Sequence, residues 1–88
     1  MSSKIITYDL CAPGRDYEKL IEHIKTYSSW ARVTESTWVI SSDDTCKVIR
    51  DILKTHIDTN DRLFVAELTG TAAWSNVRCK SDYLKEHL

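Results

Sequence analysis

What most limits the folds open to this chain is the order in which its hydrophobic period changes along the sequence. Ile5-Ile6-Thr7-Tyr8-Asp9-Leu10 is β-branched and aromatic, and it stops at the loop signal Cys11-Ala12-Pro13-Gly14. Tyr17, Leu20, Ile21 and Ile24 then fall at the spacing of an amphipathic helix, which Asp16 can cap. Two strand-like runs follow, Ala31-Arg32-Val33-Thr34-Glu35 and Thr37-Trp38-Val39-Ile40, with only Ser36 between them. Such a short break predicts a hairpin with a tight turn or bulge near Ser36. Ser41, Ser42, Asp43 and Asp44 offer N-caps to a second helix whose stripe is Cys46, Ile49, Ile52 and Leu53. Asp58-Thr59-Asn60-Asp61 is turn-rich, and Leu63-Phe64-Val65-Ala66-Glu67-Leu68 is a fourth strand. Beyond Gly70 the pattern fades. Ala72-Ala73-Trp74 reads as a short strand or as a plug, and Ser81-Asp82-Tyr83-Leu84-Lys85-Glu86-His87-Leu88 as a short helix.

Each of the two main helices joins strands through a connection long enough for a right-handed crossover, and one short connection lies between them. This βαββαβ order is that of the ferredoxin-like α+β fold. It predicts an antiparallel four-stranded sheet in order 4-1-3-2, with helices near residues 16–28 and 43–56 on one face and a short C-terminal helix. With 88 residues there is room for a single domain spanning 1–88.

Strand alternation divides the side chains between two faces. Ile6, Tyr8, Leu10, Trp38, Ile40, Phe64, Ala66 and Leu68 form the bulkier set, placed beneath the helices. Ile5, Thr7, Asp9, Val33, Glu35, Thr37, Val39, Leu63, Val65 and Glu67 fall on the open face. So many aliphatics on an open sheet predict an interface, and a symmetric homodimer is the commonest way to form one.

No stretch approaches the roughly 20 apolar residues that span a bilayer. Met1-Ser2-Ser3-Lys4 leads straight into a strand without a signal-peptide pattern, so the expected location is the cytoplasm. The formal net charge of −1 argues against tight, sequence-independent nucleic-acid binding. It leaves room for a local basic patch or a metal-bridged contact. Cys11, Cys46 and Cys79 are widely spaced, and His23, His56 and His87 do not complete zinc-ligand spacing, so free thiols are expected.

The strand directions bring polar residues from distant segments to one rim of the sheet. Asp9 should share that rim with Glu35, Ser36, Thr37, Asp61 and Arg62, and the loop after the first strand should carry Arg15 there; Glu67 falls at the far end. A carboxylate inside a central strand is costly unless it is paired, hydrogen-bonded or bound to metal. Asp9 is therefore either a structural partner of Arg15 or of the loop at Cys11-Ala12, or a ligand for a hard cation such as Mg²⁺. Ser36 is a turn residue or an assistant to that site, and Arg15 either holds a phosphate or pairs with Asp9 or Asp16. Tyr8 and Trp38 raise the possibility of base stacking, but their parity places both rings beneath the helices. Trp30 and Trp74 read as anchors between layers or across a dimer. His56 could do acid–base work, but it sits at a helix end, where dipole stabilisation is explanation enough.

Two stretches resemble a known family. Ile6-Thr7-Tyr8-Asp9-Leu10, with Arg15 after a short loop, resembles the opening of the small CRISPR adaptation subunit, the lesser partner of the integrase pair. Arg32-Val33-Thr34-Glu35-Ser36-Thr37-Trp38 is similar to that family's hairpin segment. The same superfamily includes VapD-type endoribonucleases and a branch of short bacterial proteins, which the chain resembles most in length and in Glu35-Ser36-Thr37-Trp38-Val39-Ile40. The resemblance implies a ferredoxin-like homodimer with facing sheets, in which Asp9 and its symmetry mate hold a divalent metal. It also implies either Mg²⁺-dependent endonuclease activity on RNA or DNA, or a non-catalytic scaffold that binds nucleic acid or protein. In the first case Asp9 would carry the metal, Arg15 would position a phosphate and Ser36 would orient a ligand or water. A single-stranded RNA binder using exposed aromatics is a third expectation. Thr34 stands where the adaptation subunit often has Gln, Pro13-Gly14 precedes Arg15, and the charge is not basic, departures that bear mainly on DNA scaffolding.

Overall fold

The computed structural model describes residues 1–11 and 17–88. Its strands are β1 (Ser2–Asp9), β2 (Ser29–Thr34), β3 (Thr37–Ser42) and β4 (Arg62–Glu67), and its helices are α1 (Glu18–Ile24), α2 (Cys46–Lys54) and α3 (Ser81–His87). The strands form one sheet in the order β2-β3-β1-β4, all neighbours antiparallel. This is the ferredoxin-like βαββαβ arrangement with a C-terminal helix. β1 and β3 lie in the middle, as the alternation of elements requires.

Both main helices are shorter than the sequence predicts. Asp16 lies outside the described residues, and the N-cap position of α1 is taken by Tyr17 without a side-chain cap bond. At the other end the Thr26 hydroxyl donates to the His23 carbonyl at 2.6 Å, and the Thr26 amide bonds the same oxygen. That local competition closes the last turn early. α2 is capped by Thr45, whose Oγ1 accepts from the Val48 amide at 3.2 Å, rather than by Ser41 to Asp44. Ser41 and Ser42 instead extend β3, which is two residues longer than its β-branched run. Of the expected α2 stripe, Ile49 and Leu53 are buried and Ile52 is exposed.

The core lies between the sheet and these two helices. Ile6, Tyr8, Trp38 and Ile40 from the central strands meet Leu20 and Ile24 from α1 and Ile49 and Leu53 from α2. The Trp38 indole is fully buried and donates from Nε1 to the Tyr8 hydroxyl at 3.0 Å. One face assignment is overturned. Tyr8 pairs with Leu63 and Ile6 with Val65, so Leu63 and Val65 pack against the core beneath the helices. Phe64 is therefore turned outward, pairing with Thr7, and is 61% exposed. The far end of the core face holds Lys4, buried, with its Nζ donating to Ser2 and to the Ser42 carbonyl and lying 3.7 Å from Glu67.

The open face is covered in part by the chain itself. α3 crosses the end carrying Ser3, Ser29 and Ser41, where Ser29 donates to the Tyr83 hydroxyl at 2.7 Å and Ser3 to the His87 carbonyl. Beneath it Val39, Ala31 and Ser41 are buried, as is Leu84 on the helix. Partner-free coverage of Val39 corrects the expectation that this whole face awaits another molecule. The other half, with Thr7, Thr37 and Phe64, stays open.

Tyr27 carries a small internal conflict. Its hydroxyl is buried without a hydrogen-bond partner among the described residues, and burial, followed by the nearby Asp44 charge, pushes its pKa up. An unpaired buried hydroxyl is a cost, so Tyr27→Phe should leave stability level or raise it by up to about 1 kcal/mol. Thermal melting of the variant checks this; a clear loss of stability would mean that the hydroxyl has a partner.

Candidate functional site at the Asp9 rim

The register brings the expected rim together. Thr7 pairs with Thr37, the Tyr8 amide donates to the Ser36 carbonyl at 3.1 Å, and Asp9 pairs with Arg62. Glu35 and Ser36 form the β2–β3 turn, and a register shift between Arg32 and Thr34 puts the bulge slightly earlier than Ser36. Asp9, Glu35, Ser36 and Arg32 line one open groove of about 360 Å³, floored by Tyr8 and Tyr17. Glu67 is at the opposite end, where it accepts from Ser2. Arg15 lies outside the described residues, so neither its pairing nor its role at the rim is described.

Asp9 is not the buried carboxylate that its place in a central strand implies. It ends β1, and its side chain is 66% exposed. Among the described residues its side chain pairs with Arg62, whose Nη1 donates to Oδ2 at 2.9 Å from a side chain 75% exposed. Such a pair contributes at most about 1 kcal/mol. The Cys11 amide goes instead to Asp61, which accepts it at 2.7 Å on Oδ1. The same oxygen accepts from the Tyr17 hydroxyl at 3.2 Å, and Oδ2 accepts from the Asp58 amide at 2.8 Å. Asp61 thus ties three segments behind the rim, a role signalled by its place at the end of an Asp-Thr-Asn-Asp turn.

The described residues of one chain do not by themselves cage a metal. Among the described residues no group of three His, Cys, Asp or Glu side chains is arranged to hold one. Asp9 brings a single carboxylate, so a hard cation there would need ligands from substrate, water or a second copy. The cysteines are free. The His56 and His23 rings lie tilted with centroids 5.4 Å apart, and burial followed by the His56 charge lowers the His23 pKa below its ordinary 6.5. The two rings lie at or just beyond the C-terminal ends of α1 and α2.

A second feature went unread in the sequence. The β2 edge and residues 78–80 enclose a groove of about 520 Å³, lined by Trp30, Arg32, Arg78, Lys80 and Tyr83. Its only early signal is the Arg78-Cys79-Lys80 run, which no hydrophobic period ties to β2. The link is a backbone bond, from the Arg78 amide to the Val33 carbonyl at 2.9 Å. Tyr8 and Trp38, the residues considered for stacking, are core, while Trp30 is 40% exposed.

Compared with known family models, with curated proteins and with solved structures, the chain gives no match. No helix among the described residues is long and apolar enough to cross a membrane.

Proposed function

We propose that the protein works as a homodimer on the phosphodiester backbone of RNA or DNA, with Asp9 at the centre of its site. The observation that carries this reading is where Asp9 stands. It is exposed at the end of a central strand, on the half of the open face that α3 leaves uncovered, next to the Thr7–Phe64 pair. A second copy docked over Phe64 across a two-fold axis would bring its own Asp9 to the same place. Two carboxylates that leave room for water suit a divalent cation such as Mg²⁺. When bound, that ion would supply an activated water and neutralise charge on the phosphoryl group. The chain's own residues would hold the carboxylate in place through Arg62, while Ser36 at the groove wall would orient a ligand or water. Arg15 as a phosphate holder rests on the family resemblance alone.

The Asp9–Arg62 pair also favours a second reading, a non-catalytic dimeric scaffold that binds nucleic acid or protein, because the carboxylate already has a cation. One variant separates the two. Cleavage of labelled RNA and DNA is measured for wild type and Asp9→Asn, with Mg²⁺ and with a chelator. The amide keeps the shape and loses the charge, so a phosphodiesterase should lose Mg²⁺-dependent cleavage while circular dichroism and light scattering stay those of the wild-type dimer. Wild-type protein that never cleaves, or a variant that cleaves equally well, sinks the catalytic reading.

A further inference from the structure

We infer that the groove between β2 and residues 78–80 binds single-stranded nucleic acid, with Trp30 as a stacking platform and Arg78 and Lys80 as phosphate contacts. Four observations meet there. First, charge is segregated: in a chain with 12 basic and 13 acidic residues, the groove is lined by Arg32, Arg78 and Lys80 and by no carboxylate. Neither Arg78 nor Lys80 forms an ion pair with a described residue, in contrast to Arg50 and Arg62. Second, the groove offers an aromatic surface, since Trp30 is half-exposed and lines it together with these cations. Cations alternating with a part-exposed indole are what an unpaired base and its backbone require, and stacking is available from any base.

Third, one cation is held rigid. Arg32 donates from Nε and Nη2 to the Glu35 carbonyl at 3.1 and 2.7 Å, and its guanidinium lies 5.0 Å from the Trp38 ring. Arg32 also lines the Asp9 groove, so the two depressions share a wall. A strand lying in the basic groove would be led toward the rim. Fourth, the shape argues against the rival occupant, an added peptide strand. β2 is an edge strand, but its register is broken between Arg32 and Thr34, and the Val33 carbonyl is already taken by Arg78. A bulged, partly capped edge is a poor template for another strand. Duplex is disfavoured because stacking on Trp30 needs a base that is not already paired.

The inference does not depend on catalysis at Asp9 and holds for a scaffold as well. Fluorescence anisotropy with fluorescein-labelled oligouridine and oligodeoxythymidine, against a duplex of equal length and an acidic peptide, tests it. Both single strands, or one of them, should bind more tightly than the duplex and the peptide. Trp30→Ala should weaken binding about tenfold, with Trp30→Phe recovering part of the loss. The Arg78→Ala/Lys80→Ala pair, checked by circular dichroism, should lower the slope of log affinity against log salt by about 1.4, the value for two phosphate contacts on a single strand. Binding is measured in the presence of a chelator, so failure of Mg²⁺-dependent cleavage leaves the groove intact. Equal or tighter binding of duplex, preference for the acidic peptide, or an unchanged affinity and salt slope in the Arg78/Lys80 pair would overturn the inference.

Discussion

Trp38→Ala should destabilise the protein by about 3–5 kcal/mol, enough to leave much of it unfolded at ordinary temperature. The indole is completely buried on a central strand. Removing it opens a cavity whose walls are the helices and the sheet, neither of which can close without moving the other. It also strips the Tyr8 hydroxyl of its donor, 3.0 Å away, and takes the ring from under the Arg32 guanidinium. Trp38→Phe should lie between, since the smaller ring refills part of the volume but leaves Tyr8 without that donor. Urea denaturation of both variants measures the two losses separately. An alanine variant as stable as wild type would place Trp38 outside the core.

The second large effect is expected at α3. Leu84 is 1% exposed, and the helix that carries it covers Val39 and Ala31 on the sheet. Leu84→Asp would bury a carboxylate without a partner, so the helix should leave its seat rather than hold the charge there. The loss is that of the helix's own docking, about 2–5 kcal/mol by analogy with other buried leucines. Freed of α3, the face would present Val39, Ala31 and Ile5 together, and the variant should associate at micromolar concentration. Amide exchange along Ser81–His87, read together with light scattering, reports the undocking. Protected α3 amides in the variant would show that the helix is not held by Leu84.

The sequence exposed the order of elements and the sheet because each run had one clear period. In Ile6-Thr7-Tyr8 and Thr37-Trp38-Val39-Ile40 the bulkier side chains alternate with smaller ones, which puts Tyr8 and Trp38 in the core. β4 does not. Leu63, Phe64, Val65 and Ala66 are all apolar, so its period carries no phase, and the bulk of Phe64 pointed the wrong way. The phase is set by its pairing with β1, which lines Leu63 up with Tyr8 and Val65 with Ile6. The rim at Asp9 was legible because strand direction alone brings its residues together. What escaped was which residue answers Asp9, since Arg62 is settled by the β1–β4 register and not by nearness in sequence. The basic groove escaped for a related reason: the segment after Gly70 has no period, and it meets β2 only through tertiary contacts such as the Arg78–Val33 bond.

The central position of β1 has a consequence for how the chain is made. Its two neighbours are Thr37–Ser42 and Arg62–Glu67, and the Ser3 hydroxyl reaches the His87 carbonyl. During synthesis this strand therefore emerges before both of its neighbours. One of its edges stays without a partner until β3 has left the ribosome, and the other until β4 has. Closing such distant contacts costs loop entropy before it returns any stability, which slows folding relative to a helical chain of this size. Ile5 and Ile6, the most apolar pair in that waiting segment, are where a nascent-chain chaperone would have most to hold.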